Sequence, residues 1–164
     1  MDLYRIKQFY WSVTSKFDEQ DKTFIDKYLE LQEKELFFKL TQYEQKHCVK
    51  VAKYVEEKLI ISGDNLNLLV RAALLHDIGK INGKVNSISK TLLVIADNIS
   101  SGKLKKFSNL KTINNYYYHG DKAYNLLKEY SYDERLLYLI KNHHNDDIIG
   151  DKGLDLLKTA DEKF

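Results

Sequence analysis

The chain has 164 residues, a length suited to one domain with a core of its own. With 43% hydrophobic and 30% charged residues it has the composition of a globular protein, and a formal net charge of +2 gives no strong pull towards nucleic acid or a membrane surface. No stretch approaches the about 18 apolar residues that a bilayer requires, so no membrane span is expected.

Proline is absent and the seven glycines are spread over the whole length, a pattern that favours helices joined by short loops. Leu3 to Val13 has a helical period through Leu3, Ile6, Phe9, Tyr10 and Val13. Charged residues interrupt Met1 to Phe17, so no signal peptide is expected there. Asp18 reads as the N-cap of a second helix with Phe24, Ile25, Tyr28, Leu29 and Leu31 on one stripe. A short helix is expected over Lys34 to Leu40, with Leu36, Phe37 and Leu40 inward. Residues 1–40 hold no candidate chemistry and read as a helical extension packed over the core; their aromatics would also suit a partner surface. From Thr41 to about Ile61, with Gly63 as a stop, a longer helix places Tyr43, His47, Val51, Tyr54 or Val55, and Leu59 on its apolar face. A lone histidine in such a place is more often a satisfied core residue than a ligand. Cys48, the single cysteine, excludes an internal disulfide and suits a reducing, cytoplasmic compartment.

The run from Leu66 to Leu75, broken only by Asn67 and Arg71, reads as a helix buried on most of its circumference. Its last turn delivers His76 and Asp77 inward. Gly79 lets the backbone turn, and Lys80 projects just beyond the pair. A buried carboxylate beside a buried imidazole is costly unless neutralised, and a metal ion is the commonest device for that. Ile81 to Lys90 reads as a loop and Thr91 to Ile99 as another packed helix; Asp97 near its end reads as a solvated helix end rather than a ligand. Ser100 to Asn115 has no clear period and reads as a flexible flap. Its Lys103, Lys105, Lys106 and Lys111 could attract an anionic substrate, although loop lysines are usually only solvated.

Two further helices follow. His119 opens a stripe continued by Ala123, Leu126, Leu127 and Tyr130, with Gly120 allowing close approach. In the helix from about Asp133, His143 is in phase with Leu136 and Leu139, and His144 with Leu137 and Ile140; periodicity does not choose between them. Asp146, Asp147 and Asp151 lie in a polar loop without the ligand alternation of an EF-hand. The last helix, from about Gly153, places Leu154, Leu157, Asp161 and Phe164 on one face, and a carboxylate on an apolar stripe wants a cation. Four faces thus turn a histidine inward, in a chain with five histidines, and Asp77 and Asp161 do likewise. A shared metal site accounts for that coincidence better than separate core residues.

The order His47, His76-Asp77, Asp161 resembles the HD superfamily of metal-dependent phosphohydrolases, and Leu75-His76-Asp77-Ile78-Gly79-Lys80 is similar to its HDIG-type members. The resemblance covers roughly residues 41–164 and implies an all-α HD-domain helical bundle. It implies His47, His76, Asp77 and Asp161 as ligands of a first metal, with His119 and His143, or His144, where bacterial dinucleoside tetraphosphate hydrolases and HD-GYP phosphodiesterases hold a second. The glycine-tyrosine-proline signature of the latter cannot occur in a chain without proline. One or two divalent transition-metal ions are implied, and imidazole with carboxylate suits iron, manganese, zinc or nickel better than calcium. The implied reaction is hydrolysis of a phosphoester or phosphoanhydride, in a nucleotide or dinucleotide, by a metal-bound hydroxide. Asp77 would bridge the metals, and Lys80 would neutralise charge developing on the phosphoryl oxygens. A catalytically silent HD module binding a nucleotide or a protein partner, and a di-iron HD oxygenase, are the alternatives.

Overall fold

Helix starts are set by local acid caps. Asp18 caps α1 (Glu19–Tyr28): Asp21 N–H donates to Asp18 Oδ1 at 2.9 Å, and Asp18 N–H donates back to Asp21 Oδ2 at 3.2 Å. Glu30 and Glu33 form the corresponding box at α2 (Leu31–Phe37). The Thr41 and Glu44 side chains each accept the other's N–H at the start of α3 (Gln42–Leu59). Asn65, Asp133 and Asp151 cap α4 (Leu66–Leu75), α6 (Glu134–Asn142) and α7 (Lys152–Lys163), and α5 spans Lys111–Leu127. Short 3-10 turns occupy Ile78–Lys80 and Lys103–Phe107. The computed structural model describes residues 17–59, 65–81, 103–107 and 109–164; among them there is no strand, and no helix is long and apolar enough to cross a membrane.

The architecture is an all-α bundle built around α4. Leu69, Val70 and the continuous run Ala72 to Leu75 are buried there, against Val51, Ala52 and Val55 of α3, Leu136, Leu139 and Ile140 of α6, and Leu154 and Leu157 of α7. Full burial of each such leucine, isoleucine or valine contributes roughly 1.5–3 kcal/mol. The two N-terminal helices add Ile25, Tyr28, Leu29 and Phe37 to the same core. Buried acids latch them in place: Lys46 and Lys53 of α3 pair with Asp21, and Arg71 of α4 donates to Glu33 at 2.7 Å.

Several details differ from the sequence expectations. Leu31 is 74% exposed, because it opens α2 instead of extending the α1 stripe. The glutamate capping box starts α2 three residues before Lys34. Within Ser100 to Asn115, Lys103–Phe107 is a 3-10 turn and Lys111 to Asn115 already belongs to α5, so the described residues there are largely helical and not the expected flap. His119 therefore sits in the middle of a helix, one residue after a kink at Tyr118 (φ −118, ψ 15), and not at its start. Tyr130 lies beyond the helix end, on the surface. Asp151 is tied to Arg135 and to its own cap. The Leu3–Val13 helix, the Gly63 stop, nearly all of the loop after Ile81, and the Thr91–Ile99 helix with Asp97 lie outside the described residues.

Candidate metal centre

α4 ends at Leu75, and the next two residues turn back over its C-terminus. His76 takes the C-cap position, fully buried, and its Nδ1–H donates to the carbonyl of Ala73 at 2.7 Å. A carbonyl only accepts, so this bond places the ring proton on Nδ1 and leaves a lone pair on Nε2. The end of α6 repeats the device. His143 is its C-cap, and its Nδ1–H donates to Ile140 O at 2.7 Å.

Gly79 keeps the turn against α5. A Cβ at this position would stand 1.9 Å from the carbonyl oxygen of His119 and 2.8 Å from the amide nitrogen of Ala123. Its contribution is closeness of approach, not an unusual φ. Gly120 does the same on the other side, where a Cβ would meet Lys141 O at 2.6 Å. With both backbones this close, His119 of α5 reaches both Asp77 and His143. His47 comes from α3 and Asp161 from the last turn of α7.

Two groups of donor atoms result. His47 Nε2 lies 2.8 Å and His76 Nε2 3.4 Å from Asp161 Oδ1. His119 Nε2 lies 3.0 Å from His143 Nε2, and His144 joins that pair in a second group. Asp77 stands between the groups, its Oδ1 3.5 Å from His76 Nε2 and 3.4 Å from His119 Nε2. The floor of the centre, His76, Asp77, His119 and His143, is buried. The rim is open to solvent: the side chains of His47 and Asp161 are 13% and 12% exposed, that of Lys80 17%, and that of His144 55%.

The electrostatics follow from this packing. Burial opposes ionisation of Asp77, but the Lys80 ammonium in contact with it, together with the neighbouring imidazoles, outweighs that and holds its carboxyl well below the usual range. Burial likewise opposes the Asp161 charge, and His76 with the His47 hydrogen bond overcomes it in the same direction. His76 is pushed up despite burial, chiefly by Asp77. His119 and His143 are pushed well down, by burial first and then by the groups beside them that would repel a second positive charge, Lys80 and the His144 ring respectively. Ionised carboxylates and the neutral rings of His119 and His143 are the protonation states in which these side chains bind cations, whereas the raised His76 would release its proton when a cation binds.

The residues fit a metal ion. His76 Nε2 is buried without a hydrogen-bond partner among the described residues, and the buried Asp77 carboxylate, met by the Lys80 ammonium, stands beside it; a cation would match both. Ligand bonds of about 2.1 Å set neighbouring donors about 3.0 Å apart in an octahedron and about 3.4 Å in a tetrahedron. The donor separations of 2.8, 3.0, 3.4 and 3.5 Å fall around that interval.

The family model described as HD domain matches residues 45–162. The chain belongs to the HD domain family. No curated protein and no solved structure matches it. The HD domain match begins inside α3, just before His47, and ends after Asp161, so all the donors named above lie within it and α1 and α2 lie outside.

The residues that the resemblance implied as ligands or catalytic groups, His47, His76, Asp77, Lys80, His119, His143 and Asp161, stand at this one place in the HD domain. The geometry also takes both members of the His143-or-His144 alternative and adds one residue that sequence reasoning did not place. His144 joins His119 and His143, so the choice between the two adjacent histidines dissolves. α6 ends at Asn142, and beyond it the 100° spacing that made them alternatives no longer applies. Cys48 lies with His76 and Asp77 in a third group, its only sequence signal being its position next to His47.

Proposed function

We propose that this HD domain is a metal-dependent phosphohydrolase that cleaves a phosphoester or phosphoanhydride bond, with nucleotides or dinucleotides as the substrate class. The position of Asp77 between the two histidine groups supports this reading most directly. In it, His47, His76, Asp77 and Asp161 would hold one divalent ion, and His119, His143 and His144, beside Asp77, would hold a second. The mixed imidazole and carboxylate set suits iron, manganese, zinc or nickel. Divalent ions bound there supply Lewis-acid polarisation of a phosphoryl oxygen and a water made acidic enough to serve as nucleophile.

The chain's own groups do the rest. The Nδ1–H bonds of His76 and His143 to the carbonyls of Ala73 and Ile140 orient both rings before anything binds, so little reorganisation accompanies reaction. Lys80, at the rim and paired with Asp77, offers its ammonium to negative charge that grows on phosphoryl oxygens. The buried floor excludes water beneath the reacting atoms, while the side bounded by His47, His144 and Asp161 leaves an approach for substrate. α1 and α2 take the role of a cover that closes the core.

Purified protein supplied with manganese is expected to hydrolyse an aryl phosphodiester or a member of a nucleotide panel. His76→Ala should lower kcat by more than about 100-fold, the upper end of what loss of an outer-shell partner costs. Turnover unchanged by that substitution or by a chelator sinks the reading. Stable ion binding without turnover of any phosphate ester points instead to a silent binding module.

A further inference from the structure

Cys48 is fully buried one residue after His47, and its Sγ lies within 4.8 Å of a ring nitrogen of His76 and a carboxylate oxygen of Asp77. A buried thiol usually acts as a small apolar group, and Cys48 does border the core of Val51, Ala52 and Leu74. Two observations set this one apart. It faces the His76-Asp77 turn, where the fully buried His76 Nε2 has no hydrogen-bond partner among the described residues and the Asp77 carboxylate supplies a second donor. The neighbouring position also divides the labour along α3. A helix turns its side chains by about 100° per residue, so His47 serves the solvent-side rim and Cys48 the closed floor.

We infer that Cys48 is a sulfur donor to the metal centre, and that it biases the centre towards thiophilic divalent ions (zinc, cobalt, cadmium) over manganese and magnesium. The inference rests on the metal centre proposed above. Soft thiolate ligands favour such ions, whereas a set of imidazole and carboxylate alone does not discriminate among them strongly. On binding, the metal–sulfur bond forms as the thiol S–H bond breaks, and the proton leaves to solvent. The thiolate charge then meets the ion's, in a site where an uncompensated buried thiolate could not persist.

The test uses the full chain, stripped of metal and fully reduced, titrated with cadmium while the sulfur-to-cadmium charge-transfer absorption and the ions bound per chain are followed together. Because the chain has one cysteine, any such band belongs to Cys48. The expected result is a band that grows with the bound cadmium. Cys48→Ser should abolish it and weaken cadmium binding by about tenfold or more, while manganese affinity changes by less than about threefold. Cadmium bound with no band overturns the inference and leaves the centre standing; no ion bound at all overturns both. The wild-type spectrum decides the matter even if the serine variant does not fold.

Discussion

A hydrogen atom is all that position 79 can carry. The obstacles to a methyl group are the backbone atoms His119 O and Ala123 N, which belong to the middle of α5 and have no flexible end to swing aside. An alanine there drives the His76-Asp77 turn away from α5, which is also the contact that brings His119 to Asp77. Gly79→Ala is therefore expected to cost about 3 kcal/mol, as overpacking of a closed site does, and to lower Tm by about 9 °C for a chain of this size. Thermal unfolding followed by circular dichroism checks this. An unchanged Tm would mean that the turn relaxes at no cost and that the approach of α5 is not what fixes the centre. The same residue shows why single positions were only partly legible. The glycine was visible in the string that follows His76, yet the sequence suggested a turn-former, since the carbonyl it must clear lies forty residues away.

At the scale of elements, α6 and α7 must keep a fixed relation, because one carries His143 and His144 and the other Asp161. Arg135 and Asp151 supply a direct tie: Nη1 and Nη2 donate to the two carboxylate oxygens at 2.6 and 2.5 Å, and Asp151 also accepts the Leu154 N–H that caps α7. The Arg135 hydrogen bonds lower the Asp151 pKa from 3.8 to about 2. A depressed carboxylate contributes stability above its unfolded pKa and loses it as pH falls through the folded one. Asp151→Asn, which keeps a capping side chain and removes the charge, should thus cost about 1 kcal/mol at neutral pH once solvent screening is allowed for. The gap to wild type should close between about pH 4 and pH 2. Chemical denaturation of both proteins across that range measures it, and a gap independent of pH would show that the pair is not the source. A cap of this kind was readable in advance at Asp18, since donor and acceptor sit within three residues of each other. The length of α5 was not, because Lys111 to Tyr118 is rich in asparagine, threonine and tyrosine and offers little beyond Ile113 to an apolar stripe. The paired histidines were ambiguous for another reason: they lie past the end of the helix whose period was being used to sort them. Cys48 was silent because a thiol bordering a core looks like any other small apolar residue until its neighbours are known.

Across the whole molecule, α3, α4, α5, α6 and α7 each send at least one imidazole or carboxylate to a single place, and the core is built so that these groups have little else to bind. Such convergence is expensive without a cation, since His76 Nε2 is buried without a hydrogen bond and two carboxylates, Asp77 and Asp161, are drawn to the same place. A cation that binds only the folded chain then acts as a tie among five helices. At a free concentration of about 100 times Kd it adds about 2.7 kcal/mol, which for a chain of this size raises Tm by about 5–11 °C. Manganese or zinc added to stripped protein should produce that rise, and a chelator should reverse it. Asp161→Ala should lose most of it, because removal of that carboxylate opens the first group while leaving the second. Metal analysis at saturation should find about two ions per chain in the wild type and about one in His119→Ala, since the second group depends on that ring. The two measurements constrain each other. A rise in Tm with one ion in both proteins would confine binding to the group of His47, His76 and Asp161, whereas no rise and no bound ion would leave the converging side chains as a buried polar network with no metal role.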